Sequence, residues 1–203
     1  RARLAIKMQG QKPRIAPQQE AIRLEEARHP LLVLQKGREG VVPLTTTLDA
    51  QHRILLISGP NAGGKSVALQ TLGLCQLMVQ AGLLPPASER SEVPLLEALF
   101  VDMGDDQSVQ DDLSTYTSHL KHMQAFLDGL DAGALFLIDE FGTGTDPDLG
   151  GPMAEALLER FVASKARGMI TTHYSNLKEF AEATEGVQNG AMQFDLQTLR
   201  PIY

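Results

Sequence analysis

The sequence predicts an α/β fold built on a mainly parallel β-sheet with helices on both faces. Three mainly apolar segments have the length and hydrophobicity of strands buried on both faces; they span residues 53–58, 134–139 and 168–172. Segments with helical spacing of apolar residues follow them, at residues 65–80, 147–164 and 176–183. Strands that alternate with helices form parallel sheets through helical crossovers, so this order predicts the fold class.

Shorter elements are predicted around this framework. Residues 99–101 form a short strand, and a helix spans residues 114–130 with Ser114 as its N-cap. Short apolar runs between residues 21 and 48, broken by proline and glycine, predict a small N-terminal antiparallel β subdomain. Residues 187–203 are predicted to form a hairpin. Residues 1–20 are interpreted as a linker or the end of a preceding domain, so the predicted domain spans residues 21–203.

The composition excludes several classes of protein. With 43% hydrophobic and 21% charged residues among 203, the chain has the balance of an ordinary globular domain. One cysteine, Cys75, permits no internal disulfide, and no apolar run approaches the roughly 18 residues of a membrane span; we therefore expect a cytoplasmic protein without a membrane partner. A net charge of −7 predicts a domain that binds nucleic acid poorly by itself, because DNA affinity depends on neutralising phosphates. Strand-like residues continue to the last position, so we expect a domain of a longer protein.

A glycine-rich loop lies between the first predicted strand and the helix after it. Its sequence, GPNAGGKS at residues 59–66, has the spacing of a phosphate-binding loop. Glycines let backbone N–H groups surround phosphate oxygens, and the helix that begins near Lys65 adds the positive end of its dipole. Lys65 is expected to contact the β- and γ-phosphates of ATP, and Ser66 to ligate Mg²⁺. The predicted nucleotide contacts are Gly59, Pro60, Asn61, Ala62, Gly63, Gly64, Lys65, Ser66 and Val67.

Two adjacent carboxylates, Asp139 and Glu140, end the second apolar strand. Open α/β sheets bind ligands at the carboxyl ends of their strands. We therefore expect Asp139 to hold Mg²⁺ and Glu140 to polarise the water that attacks ATP. An acidic turn without a function is the alternative, but the pair follows a phosphate loop by about 75 residues, which favours the catalytic interpretation.

Five further positions have a functional and a structural interpretation. His173 follows the third strand and would contact the γ-phosphate or the attacking water, although a single histidine is more often structural. Ser114 is either a simple helix cap or part of an anion site at a helix N-terminus. Gln107 is either a residue that senses Mg²⁺ or the attacking water, or a surface loop residue. Val41 and Val42 either line an adenine pocket or belong to the core.

These motifs, in this order, resemble the ATPase domain of the MutS proteins, which belong to the ABC-type ATPases. The resemblance is carried by GPNAGGKS, DDLSTYTSHL, LFLIDEFGTGTDP and ITTHY, and it covers residues 28–203. Ala62, Val67, the segment STYTSHL and the segment FGTGTDPD are similar to the second bacterial MutS branch, which lacks the mismatch-recognition domain. The implied fold is a P-loop NTPase of the ABC-ATPase type.

The resemblance also implies roles for individual positions. Residues 59–66 bind phosphates and Mg²⁺, Asp139 is the metal carboxylate, and Glu140 is the catalytic base. Ser114 acts in trans on the ATP of the partner subunit, His173 is the switch histidine, and Gln107 occupies the Q-loop position. The cofactors implied are ATP or ADP and Mg²⁺.

For the whole protein, the resemblance implies an ATP-gated homodimer that hydrolyses ATP to ADP and phosphate. Such a protein would bind branched DNA, mainly through domains outside this chain, and suppress homologous recombination, or act on stalled ribosomes. A nuclease domain often follows in this branch. The alternative is the ATPase domain of a mismatch-recognising repair protein. An ABC transporter is disfavoured, because the chain has LSTYTS where transporters have LSGGQ.

Overall fold

The computed structural model describes residues 1–18, 20–59, 64–103, 112–143, 147–191, 193–195 and 200–202, without the side chains of 112–120, 147–148, 193–195 and 200–202. The described residues form two compact units, the first comprising 1–50 and 66–96 and the second 51–65 and 97–202. In chain order the elements are α1 (Ala2–Met8), β1 (Arg14–Ala16), β2 (Ile22–Ala27), α2 (Pro30–Lys36), β3 (Leu44–Leu48), β4 (His52–Ser58), α3 (Lys65–Gln80), β5 (Glu92–Pro94), β6 (Ala98–Asp102), α4 (Asp112–Gly129), β7 (Ala134–Ile138), α5 (Pro147–Ala163), β8 (Arg167–Thr172), α6 (Ser175–Ala183), β9 (Gly186–Ala191), β10 (Gln193–Asp195) and β11 (Arg200–Ile202).

The second unit is built on a five-stranded sheet with the order β6-β7-β8-β4-β9, in which every neighbouring pair is parallel. Every residue of β7 and β8 is buried, which is why neither sequence alternates between apolar and polar residues. Helices flank this sheet. The α/β fold class, with a mainly parallel sheet, is therefore confirmed.

Aromatic side chains fill the core between the sheet and its helices. The rings of Phe136 on β7 and Phe161 on α5 stack with their centroids 4.9 Å apart, and both are fully buried. Phe141 and Phe161 make a second ring contact at 5.9 Å. Ile54, Ile170 and Leu177 belong to the same buried cluster, so β4, β8 and α6 share one core with β7 and α5.

Gly168 on β8 leaves the space that the ring of Phe136 occupies. A Cβ atom at this position would lie 2.1 Å from Cζ of Phe136. We expect Gly168→Ala to lower the free energy of unfolding by about 2–3 kcal/mol, because overpacking a core shifts side chains and backbone. In a chain of this size the melting temperature should fall by about 5–10 °C, measured by circular dichroism.

Gly190→Ala is the matched control for Gly168→Ala. Gly190 lies in the same sheet, but the atom nearest to its added Cβ would be the end of the flexible Leu55 side chain, at 3.2 Å. We expect a far smaller change in melting temperature for this variant. Equal melting temperatures for Gly168→Ala and the wild type would contradict the packing argument.

The first unit contains a four-stranded sheet with the order β1-β5-β2-β3. Strand β2 is antiparallel to both β3 and β5, whereas β1 is parallel to β5. The predicted small β subdomain is therefore present, but its sheet is mixed. It also extends beyond residues 21–48, because β1 and β5 come from either side of that segment.

Helix α2 in the first unit was not predicted. Pro30 occupies the first turn of the helix, where its missing N–H removes no internal hydrogen bond. The side chain of His29 caps this end: its Nδ1 accepts a hydrogen bond from the N–H of Leu32 at 3.3 Å. Proline was interpreted as the end of a strand, but here it begins a helix.

Three other predictions require correction. Residues 2–8 and 14–16, interpreted as linker or the end of a preceding domain, form α1 and β1; a domain boundary after residue 20 stays a prediction. Helix α4 begins at Asp112, so Ser114 lies inside its first turn and is not the N-cap. The predicted hairpin at residues 187–203 is also wrong in part: residues 186–191 form β9 beside β4 in the parallel sheet, whereas β10 and β11 pair with each other in antiparallel fashion.

None of the helices in the described part of the chain has the length and apolar character needed to cross a bilayer.

Candidate nucleotide site

The carboxyl ends of β6, β7, β8 and β4 lie along one edge of the parallel sheet of the second unit. Ser58 pairs with Thr172, so the residues that follow, Gly59 and His173, leave neighbouring strands at the same level. Asp139 follows β7, which pairs with β8 through Ile138. The register therefore brings the end of the first loop strand, the carboxylate pair and the histidine to one edge, where open α/β sheets bind ligands.

Lys65 is the best-defined side chain of the predicted phosphate loop. It begins α3, is only 3% exposed, and its Nζ donates a hydrogen bond to the carbonyl oxygen of Gly59 at 2.6 Å. Burial lowers the pKa of Lys65, and the negative charges of Asp139 and Glu140 oppose that shift. The ammonium group therefore lies within the field of both predicted catalytic carboxylates.

The glycines at the two ends of the loop have backbone angles that other residues rarely adopt. Gly59 has a φ of 132° and Gly64 a φ of 84°. Residues 60–63, which include the predicted contacts Pro60, Asn61, Ala62 and Gly63, lie outside the described residues. The described ends of the loop are consistent with a glycine-dependent turn between β4 and α3.

Thr171 connects the two carboxylate residues at the end of β7. Its Oγ1 donates a hydrogen bond to Oδ1 of Asp139 and accepts one from the N–H of Glu140 at 2.8 Å. The N–H of Asp139 donates to the carbonyl oxygen of Asp102 at 2.8 Å. The side chain of Asp139 is therefore hydrogen-bonded to β8, and its backbone is hydrogen-bonded to β6.

Glu140 has a φ of 51°, in the left-handed region that is uncommon for residues other than glycine. The following turn holds this conformation: the N–H of Phe141 donates to the carbonyl oxygen of Thr171 at 2.8 Å, and the hydroxyl of Thr143 donates to the carbonyl oxygen of Glu140 at 2.8 Å. The hydroxyl of Thr172 donates to the carbonyl oxygen of Phe141 at 3.2 Å. Strained backbone that is fixed by several bonds is found most often at functional sites.

His173 is exposed at the sheet edge, directly after the buried end of β8. The backbone that follows is fixed, because the N–H of Tyr174 donates to the hydroxyl of Thr172 at 3.1 Å. An exposed imidazole on a fixed backbone is available to a ligand at this edge. Its predicted role as a switch residue stays a prediction.

A small cleft, with a volume of about 30 Å³, opens beside the carboxylates. Asp102, Asp139 and Glu140 line its polar part, and apolar residues of α4 and α5, including Met123 and Leu157, line the rest. The carboxylates are therefore reachable from solvent at the carboxyl edge of the sheet.

The described residues fit ATP and Mg²⁺. Lys65 supplies a buried positive charge next to a loop whose glycines permit close approach of a phosphate, and the positive end of the α3 dipole lies there because the helix begins at Lys65. Asp139 supplies carboxylate oxygen, the type of ligand that Mg²⁺ prefers.

For the other predicted residues, no described side-chain contact joins the residue to Lys65, Asp139, Glu140 or His173. Ser66 and Val67 belong to the first unit, as do Val41 and Val42. Val41 is 7% exposed and packs in a core cluster with Met8, Val33 and Met78, whereas Val42 is 44% exposed. Gln107 and the side chain of Ser114 lie outside the described residues.

Sequence reasoning missed Thr171, Thr172 and Asp102, all of which are buried. The available signal was two hydroxyl residues at the end of a buried strand, since buried polar groups need hydrogen-bond partners. Their partners were not predictable, because they depend on β8 lying next to β7 and on Asp102 pairing with Ile138.

Comparison with known proteins agrees with this arrangement. The family model of MutS domain V matches residues 55–202. A protein named endonuclease MutS2 from Thermomicrobium roseum is 48% identical over 182 residues, which is 90% of this chain and 22% of that protein. Endonuclease MutS2 of Carboxydothermus hydrogenoformans is 42% identical over all 203 residues, or 25% of its length, and that of Caldanaerobacter subterraneus is 40% identical over the same span.

The chain thus spans about a quarter of the length of these relatives. The family match covers the five-stranded sheet from β4 onward together with Lys65, the carboxylates and His173. The chain therefore belongs to the MutS domain V family, as an ATPase domain of the MutS2 type.

Proposed function

We propose that this chain binds ATP with Mg²⁺ and hydrolyses ATP to ADP and phosphate. The observation that carries the proposal is the buried ammonium of Lys65, hydrogen-bonded at the end of β4 and within the field of the two carboxylates that follow β7. A cation and two carboxylates at the carboxyl edge of a parallel sheet are the groups that phosphoryl transfer to water requires.

Each residue has a defined role in this proposal. Lys65 exchanges its bond to the Gly59 carbonyl for bonds to the β- and γ-phosphates. Asp139, with Ser66 and Gln107, holds Mg²⁺, which when bound offsets negative charge on the transferring phosphate. Glu140 accepts a proton from the attacking water, and His173 contacts the γ-phosphate or that water.

Removal of Mg²⁺ tests the proposal directly. We expect the protein to release phosphate from ATP in millimolar Mg²⁺, and to lose at least about 90% of that activity in excess EDTA, because the γ-phosphate then lacks its neutralising cation. Phosphate release is measured in both conditions, and activity should return when Mg²⁺ exceeds the chelator. Turnover that is unaffected by EDTA, or no turnover under any condition, would contradict the proposed function.

For the whole protein we propose an ATP-gated homodimer in which Ser114 of one subunit acts on the ATP of the other. Support comes from the position of Ser114 in the first turn of α4, because the first N–H groups of an α-helix have no partner within the helix and can bind an anion. The relatives are named endonucleases, so we further propose that the protein processes DNA. Its preferred substrate would be branched DNA, through which it would suppress recombination.

The same resemblance supports a second proposal, a role on stalled ribosomes. The phosphate-release assay with branched DNA, linear duplex or ribosomes added distinguishes these substrates, because only the true one should change the rate.

A further inference from the structure

Thr171 makes hydrogen bonds to both carboxylate residues of the proposed site, although it belongs to a different strand. It is fully buried near the end of β8, one position before the strand's last residue. Its hydroxyl donates a hydrogen bond to the Asp139 carboxylate and accepts a hydrogen bond from the backbone N–H of Glu140. Both hydrogen-bonding functions of this hydroxyl are therefore used within the site.

The bond to Glu140 acts on a strained residue. Because Glu140 has a φ of 51°, its backbone N–H and its side chain leave the chain in directions that an ordinary strand would not give. The Thr171 hydroxyl fixes the N–H on one side of Glu140, and the Thr171 carbonyl fixes the N–H of Phe141 on the other. Thr171 on β8 thus accepts hydrogen bonds from two successive N–H groups of the turn that orients the Glu140 side chain.

The neighbouring hydroxyl does not duplicate this role. Thr172 donates to the carbonyl oxygen of Phe141 and accepts from the N–H of Tyr174, so its bonds lie on the turn and on the segment beyond His173. The Thr171 side chain, by contrast, hydrogen-bonds to both Asp139 and Glu140. An aliphatic side chain of the same shape would leave a buried N–H and a carboxylate oxygen without this partner.

We propose that Thr171 is a positioning residue that holds the metal carboxylate Asp139 and the catalytic base Glu140 in a fixed relation. The inference rests on the proposed ATPase function and adds a residue to it. Loss of the hydroxyl frees the Asp139 carboxylate to rotate and loosens the turn at Glu140. A small displacement of a catalytic group costs rate, whereas nucleotide held by the loop keeps its contacts.

The test compares Thr171→Val, which removes the hydroxyl, with Thr171→Ser, which keeps it, in the full-length protein. For Thr171→Val we expect kcat to fall by about 10- to 100-fold and the KM for ATP at saturating Mg²⁺ to change less than about threefold. The Mg²⁺ concentration that gives half-maximal activity should rise several-fold. Thr171→Ser should recover most of kcat and the normal Mg²⁺ requirement.

Two further variants keep the test decisive. Thr46→Val removes the hydroxyl of another buried threonine, on β3 in the first unit, and should leave kcat and the Mg²⁺ requirement unchanged. If Thr171→Val does not fold, Thr171→Cys replaces it, since a thiol keeps the volume but is a weak donor and acceptor.

The outcomes separate the inference from the proposed function. An inactive wild type overturns the ATPase proposal itself. An active wild type with Thr171→Val, or its Cys substitute, within twofold in kcat and Mg²⁺ requirement overturns only the role of Thr171. Equal losses in Thr171→Ser and Thr171→Val also overturn it, because the γ-methyl packing and not the hydroxyl would then be responsible.

Discussion

Glu140→Gln is expected to bind ATP with nearly the affinity of the wild type and to hydrolyse it at least about 100-fold more slowly. A positioned general base contributes about 10²- to 10⁴-fold to a rate, and an amide of the same shape cannot accept the proton from water. Glutamine keeps the backbone N–H that bonds to Thr171 and the left-handed turn. The loss should therefore appear in kcat while the KM for ATP stays close to that of the wild type.

The control for Glu140→Gln is Glu159→Gln, which makes the same change on an exposed position of α5. It should leave kcat within twofold of the wild type. Phosphate release under single-turnover conditions, with ATP affinity from calorimetry, separates chemistry from binding. Wild-type turnover in Glu140→Gln would exclude Glu140 as the general base and leave His173 as the next candidate for that role.

Lys65→Ala is expected to weaken the binding of ATP with Mg²⁺ by about 100-fold or more. In the proposed complex the ammonium offsets the negative charge of the phosphates near two carboxylates whose charges already act on it, and losing one partner of a buried charge pair costs about 3–5 kcal/mol. The hydrogen bond from Lys65 to the Gly59 carbonyl is lost as well. Isothermal titration with ATP and Mg²⁺ measures the loss, and Lys178→Ala, an exposed lysine on α6, serves as control. Retained affinity would exclude the phosphate-loop assignment.

The same variant examines the proposed dimer. Lys65→Ala protein lacks a functional loop, and Ser114→Arg protein lacks the group proposed to act in trans. If the sites are shared, a mixed dimer contains one intact composite site, and the mixture should hydrolyse ATP faster than either variant alone. A mixture no faster than its parents, under conditions where subunits exchange, would exclude the trans role of Ser114.

Local patterns in the sequence predicted the main elements, because those patterns are set within each element. Helix α3 spans the predicted residues 65–80, since helical spacing begins after the loop and Gly82, with a φ of 66°, follows its end. Strands β4, β7 and β8 lie within one residue of their predicted bounds, because long buried runs are distinctive. Helix α2 was missed because it has only seven residues and begins with a proline, which suits a helix start as well as a strand end.

The long-range part of the site was not predictable. That Asp139 and Glu140 follow an apolar strand is visible in the sequence, and so is the phosphate loop. The sequence does not state which strands are neighbours, and the roles of Thr171 and Asp102 depend on that order. The strain at Glu140 was equally hidden, because a glutamate at positive φ has no sequence pattern of its own. The tail was assigned to a hairpin for the same reason: the parallel partner of β9 is β4, far away in the chain.

The order of strands in the five-stranded sheet has a consequence for how the chain matures. The ammonium of Lys65 and the carboxylates come to the same edge of the sheet only after β8 has been inserted between β4 and β7, and β8 leaves the ribosome roughly a hundred residues after the loop. A half-made chain therefore contains the loop without its counterpart. A nucleotide that needs both the loop and the carboxylates would bind only the completed sheet. It would then shift the folding equilibrium toward the folded state by mass action. Cellular ATP would then act on this domain as a folding ligand as well as a substrate.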